Sequence, residues 1–150
     1  MHEPLNISAR PTLEGAVALL EDAGLPTGDL TDTHCEHFFF VGTADAPTGL
    51  VGLELFGDVG LLRSLVVGPP RRGRGDGLAL VKHAEAAARR QGIAALYLLT
   101  TTAEDFFARH GYRRAERAVA PAAFRSTREF AGLCPARSAF MSKGLTGEAP

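Results

Sequence analysis

The period of hydrophobic and polar positions changes several times along the chain. Residues 7–10 read as a short opening strand. After Pro11, the apolar positions Leu13, Ala16, Val17 and Leu20 recur at helical spacing, with Thr12 as N-cap and Gly24 as stop. Residues 25–32, with Pro26, Gly28 and Asp29, read as a loop or a second short helix. The block His37, Phe38, Phe39, Phe40, Val41 is a strand, and residues 50–56 form its hairpin partner across Ala46-Pro47-Thr48-Gly49. Gly57-Asp58 marks another turn, followed by a strand over 60–67. Residues 68–77 form a loop that no regular element is expected to occupy. Residues 78–91 then read as a helix, with Leu78, Val81, Ala84 and Ala88 on one face and Gly92 beyond its end. A strand over 95–99, a short helix over 104–110 ended by Gly111, and a strand over 112–116 follow. Pro121 opens a helix over 121–130, residues 136–142 close the sheet, and residues 144–150 read as frayed. An antiparallel meander running into a β-α-β crossover predicts a mixed α/β (α+β) sheet with flanking helices, not a purely alternating doubly wound fold.

Composition narrows the class without changing this picture. At 150 residues the chain has room for one ordinary domain, expected over 5–145. Sixteen basic and 17 acidic side chains leave a formal charge of −1, which excludes the basic excess of a dedicated nucleic-acid binder. No apolar run approaches the roughly 18–20 residues of a membrane helix. Two cysteines, Cys35 and Cys134, form no disulfide framework, and residues 1–6 carry no basic-then-apolar leader pattern. A reducing cytoplasmic setting is the expectation.

Chemistry concentrates in the loop GPPRRGRGDG, between a strand and a helix. A helix N-terminus offers unpaired N–H groups and a partial positive charge, and preceding glycines let those groups close on a phosphate. Arg71, Arg72 and Arg74 add charge, opposed by Asp76. Two familiar loops are excluded. Gly77 is followed by Leu78, not by the Lys-Ser/Thr of a Walker loop. Gly73, Gly75 and Leu78 lack the third small residue of a dinucleotide fingerprint, and no acidic residue ends the next strand.

The pattern Arg-x-x-Gly-x-Gly is met by Arg72-Gly73-Arg74-Gly75-Asp76-Gly77, and it resembles motif A of the GNAT superfamily of acyl-CoA N-acyltransferases. Phe106-Phe107-Ala108-Arg109-His110-Gly111-Tyr112 is similar to the second motif of that superfamily. Residues 98–107 look like the acetyltransferase domain of N-acetylglutamate synthases, and the tail around Arg125 and Cys134 like small members associated with arsenic resistance. The resemblance implies a GNAT-like fold, with a mostly antiparallel central sheet, a splayed strand pair and acetyl-CoA as co-substrate. It implies that the backbone of Leu65, Val66 and Val67 meets the pantetheine arm. The pyrophosphate would lie on the amides of Arg72, Gly73, Arg74, Gly75, Asp76 and Gly77. Asp76 departs from the aliphatic residue usual in the motif, and its charge opposes a diphosphate unless it points outward. Phe107 stands where many relatives carry a proton-donating tyrosine, which leaves Ser126, Cys134, a water or unassisted departure for the thiolate.

The implied reaction is attack of an amine on the thioester, with the Val66 N–H polarising the carbonyl. Glu54 is the first candidate base and Glu36 the second. An acidic amino acid, or a phosphonate or arsenical analogue, is the expected amine, with Arg63 and Arg125, and also Arg10 and Arg128, as candidate clamps. Arg63 alternates with Leu65 and Val67 on an apolar strand, so a buried charge there needs a partner. His34-Cys35-Glu36-His37 has the wrong spacing for a metal site, and no metal is expected. Phe38, Phe39 and Phe40 read as core, and His83 and His110 as helix-surface residues. Expected partners are acetyl-CoA and a small-molecule amine, with a second copy of the chain as a candidate homodimer partner. Neither nucleic acid nor membrane is expected. The alternative is a non-catalytic acyl-CoA-binding sensor.

Overall fold

A computed structural model describes residues 6–25, 27–116, 120–125 and 138–145. Seven strands form one sheet: β1 (Ser8–Ala9), β2 (Phe38–Gly42), β3 (Pro47–Phe56), β4 (Val59–Val67), β5 (Ala95–Thr100), β6 (Arg113–Arg114) and β7 (Ala139–Gly144). The helices are α1 (Leu13–Asp22), α2 (Asp32–Cys35), α3 (Asp76–Arg90), α4 (Glu104–Arg109) and α5 (Ala122–Arg125). Strand order is β1-β2-β3-β4-β5-β7-β6. The pairings β1–β2, β2–β3, β5–β7 and β6–β7 are antiparallel. Strand β4 meets β5 in parallel, Val59 opposite Ala95 and Leu61 opposite Tyr97. The fold is therefore mixed α/β, with a mostly antiparallel sheet.

The chain divides into two compact units, Met1–Glu54 with Leu62–Ala87, and Leu55–Leu61 with Ala88–Pro150. In the first unit Ala16, Leu20, Cys35, Phe38, Phe40, Leu50 and Val66 form a buried core. Phe38 lies opposite Gly52, and a Cβ at Gly52 would collide with its ring. The glycine thus makes the space that the aromatic fills. Phe39 faces His83 edge-on at 4.7 Å, so His83 is half-buried rather than a simple surface residue. In the second unit Leu61, Ala120, Phe124 and Phe140 form the core, with Tyr97 stacked on Phe140.

Local chemistry explains the element ends. Thr12 caps α1 by accepting the Gly15 N–H at 3.0 Å, and Gly24 beyond it has φ +75°. Three expectations need correction. Loop 68–77 contains a 3-10 turn, Pro69–Arg71, and α3 begins at Asp76, two residues before Leu78. Prolines pre-set the φ of that turn, and an acidic side chain suits a helix start. Leu80, not Leu78, is fully buried on α3 alongside Val81, Ala84 and Ala88. The alternation of β4 is also broken: Ser64 has φ +61°, Leu61, Leu62 and Arg63 are buried in succession, and Leu65 and Val67 are only half-buried. A left-handed residue inside a strand shifts the side-chain phase, so Arg63 does not share the environment of Leu65 and Val67. Part of the expected helix over 121–130, part of the closing strand over 136–142, and Ser126, Arg128 and Cys134 lie outside the described residues.

Candidate active site

The loop after β4 is shaped by its glycines and arginines. Gly73 has φ +78° and Gly75 φ +85°, backbone that other residues adopt only with strain. A Cβ at either would meet nothing within 4 Å, so the conformation, not crowding, demands glycine. The amides of Arg71 and Arg72 bond back to Gly68 and Pro69. Those of Gly73, Arg74, Gly75, Asp76 and Gly77 donate to no group among the described residues. A run of unpaired N–H groups at the start of a 15-residue helix fits a diphosphate.

The three arginines have different roles. Arg71 closes a two-point salt bridge on Asp76, Nε to Oδ2 at 2.9 Å and Nη2 to Oδ1 at 3.1 Å. Hydrogen bonding to Asp76 raises the Arg71 pKa further. The Asp76 side chain is 2% exposed, so it does not point out to water, and Arg71 neutralises it. Arg72 donates from Nε to the Val67 carbonyl at 2.9 Å and ties the loop to the end of β4. Arg74 is exposed and makes no side-chain bond among the described residues.

A second constellation lies in the same unit. Arg63 is 1% exposed at its side chain. It donates from Nη1 and Nη2 to Asp29 at 2.5 and 2.8 Å, from Nη1 to Glu54 Oε2 at 2.6 Å, and from Nε to Ser64 Oγ at 3.0 Å. The partner required by burial is thus a pair of carboxylates, 34 and 9 positions away. His34 on α2 accepts the Thr31 N–H at Nδ1 and brings Nε2 to 3.8 Å from Glu54 Oε2. Burial pushes the Asp29 carboxyl up. The bonds and charge of Arg63, with a smaller contribution from His34, outweigh it and hold the group below the usual aspartate range.

Atoms of Asp29, His34 and Glu54 lie within 4.8 Å of one another, a spacing that would suit a cation, and the Arg63 guanidinium already bridges both carboxylates. Two of these partners were not legible beforehand. Asp29 sits in a stretch read as loop, and His34 in α2, whose Thr31-x-x-His34 capping box lacks the usual Glu or Gln. The one available signal was the demand of a buried arginine for an acid.

Other expected site residues are placed as follows. Val66 is buried in the first core, while Leu65 and Val67 are half-buried beside it in sequence. Glu36 is exposed at the C-cap of α2, outside the Arg63 cluster. Phe107, in the second unit, is buried in α4 against the rings of Phe106 and Tyr112. The Arg125 side chain lies outside the described residues. Burial, helped by Asp32 and Glu14, pushes the Cys35 thiol up, which leaves it a core group rather than a nucleophile.

A glycine loop whose amides make no hydrogen bond among the described residues thus lies between a strand and a long helix. The chain belongs to the acetyltransferase (GNAT) family, whose model matches residues 8–115. Over 54 residues it is 44% identical to an amino-acid acetyltransferase of Ralstonia nicotianae, a stretch that makes up 36% of this chain and 12% of that protein. N-acetylglutamate synthase from Neisseria gonorrhoeae, complexed with coenzyme A and N-acetyl-glutamate, superposes with a TM-score of 0.80 at 22% identity. That match covers 98% of this chain and 36% of the gonococcal enzyme, so this chain spans about a third of that relative. Rv2747 from Mycobacterium tuberculosis, in complex with CoA and NLQ, superposes with a TM-score of 0.74 at 22% identity over 94% of this chain and 99% of that one. No described helix is long and apolar enough to cross a membrane.

Proposed function

We propose that the protein is an acetyl-CoA-dependent N-acetyltransferase, passing the acetyl group to the amine of a small molecule by direct attack in a ternary complex. The observation that carries this reading is the row of unpaired amides from Gly73 to Gly77, within the span of the family match. The pyrophosphate of acetyl-CoA takes these amides, and Arg74 supplies the mobile positive charge. The pantetheine arm runs along the backbone of Leu65, Val66 and Val67, and the Val66 N–H polarises the thioester carbonyl. Glu54 accepts the proton of the attacking amine at Oε1, which makes no hydrogen bond among the described residues. Phe107 has no proton to give, and a thiol of pKa about 8.5 departs readily enough as the thiolate.

The names of the relatives support an amino acid as acceptor, and an acidic one or its phosphonate or arsenical analogue is the first choice. Arg63 has its guanidinium committed to Asp29, Glu54 and Ser64, which leaves Arg125, and also Arg10 and Arg128, as candidate clamps for an acid group. Phe107 in place of a tyrosine favours one second reading, an acyl-CoA sensor without turnover.

Thiol release and product mass are to be measured with acetyl-CoA and a panel of amino acids. Acetylated product from one acceptor is the expected result, and tight CoA binding without any thiol release would favour the sensor. Gly75→Glu places a carboxylate and a Cβ on the anion loop. It is expected to abolish CoA binding in calorimetry, and wild-type affinity in that variant would overturn the loop assignment.

A further inference from the structure

The bonding of Arg63 is asymmetric, and the asymmetry bears on Glu54. The guanidinium gives its fork to Asp29, through Nη1 and Nη2, and its Nε to Ser64. Among the described residues, Glu54 accepts from Nη1 alone, a nitrogen it shares with Asp29, and at Oε2. Glu54 is the more open of the two, 15% exposed against 8% for Asp29.

We infer that Asp29 is a positioning residue for Glu54: by occupying the fork of Arg63 it restricts Glu54 to the second hydrogen of Nη1 and keeps Oε1 open to the proton of the acceptor amine. The inference rests on Glu54 as the base. Among the described residues, the charged and titratable groups around Glu54 are Arg63 on β4, Asp29 in the loop before α2, and His34 on α2. Helix α1, packed beside α2, carries Glu14, whose charge reaches Cys35, and Glu21, which accepts from Thr27.

Without its aspartate the fork turns to Glu54 and bonds both oxygens, the two-point geometry that guanidinium and carboxylate favour. A carboxylate held that way is a weaker base. Removing the arginine charge does the reverse. The two substitutions therefore displace the acid limb of the pH–rate profile in opposite directions; the loss of either charge alone does as much, so the double variant, in which the two charge effects cancel, separates release of the fork from simple electrostatics.

The test compares kcat, KM for acetyl-CoA and the acid limb in Glu54→Gln, Asp29→Asn, Arg63→Gln and the double variant D29N/R63Q, each first checked for folding by circular dichroism. Glu54→Gln is expected to lose about 100-fold or more in kcat. Asp29→Asn is expected to lose about tenfold in kcat, with KM for acetyl-CoA within about twofold, and to move the acid limb to lower pH. Arg63→Gln moves the limb to higher pH. The double variant leaves neither member of the Asp29–Arg63 pair charged and follows Arg63→Gln, because there is no fork left to restrain. Wild-type turnover in Glu54→Gln overturns the base and the inference with it. With Glu54→Gln crippled, equal displacement in both single variants, or a double variant that keeps the wild-type limb or moves to lower pH, overturns the positioning role alone.

Discussion

Asp29 keeps a charge inside the fold because Arg63 meets it with two N–H groups. Its carboxyl titrates below the ordinary aspartate value, so it binds its proton more weakly folded than unfolded. The stability this contributes is present above about pH 4 and is lost as the pH falls through the lowered value. Asp29→Asn is therefore expected to be less stable than wild type at pH 7, and the gap is expected to close below about pH 4. Urea unfolding across that range measures it; a gap independent of pH would show that the charge is not involved. At this scale Glu54 and Arg63 were legible as chemistry-bearing residues, because a carboxylate and a guanidinium on apolar strands are costly unless paired. The pairing of Arg63 with Asp29 was not, since 34 positions separate the two and no local pattern links them. Asp76 was legible as an anomaly in an anion loop, and only the position of Arg71 shows how its charge is met.

Helix α1 is the element in which local rules suffice. Thr12 accepts the Gly15 N–H, donates its hydroxyl to the Ala44 carbonyl at 3.2 Å, and stands where the sequence places a cap. Thr12→Ala is expected to cost about 1 kcal/mol in chemical denaturation, with the fold unchanged. A loss well below this would mean that Pro11 and the Ala44 contact of the backbone hold the helix start alone. Strand β4 is the opposite case. Its alternation predicts one environment for Arg63, Leu65 and Val67, and the left-handed Ser64 breaks that phase. Nothing in Arg63-Ser64-Leu65 announces the break, because serine has no preference for such backbone; its neighbours impose it. The second short helix offered over 25–32 lies instead at Asp32–Cys35 for a related reason: four residues are too few for a periodicity, and its cap uses a histidine.

At the scale of the molecule, ligand binding links the loop to overall stability. Acetyl-CoA at 100 times its dissociation constant is expected to stabilise the folded state by about 2.7 kcal/mol, with no such effect from NAD. Thermal unfolding with each ligand checks this; stabilisation by NAD and not by acetyl-CoA would return the loop to the dinucleotide class. The order of elements, the mixed sheet and the glycine loop were legible from the chain, because helical and strand periods, caps, turns and the glycine spacing all act over a few neighbouring residues. The cluster around Arg63 was decided by tertiary structure. Folding brings a loop aspartate, a strand glutamate and a short-helix histidine to one guanidinium, and electrostatic attraction between groups so far apart in sequence exists only once the backbone has closed.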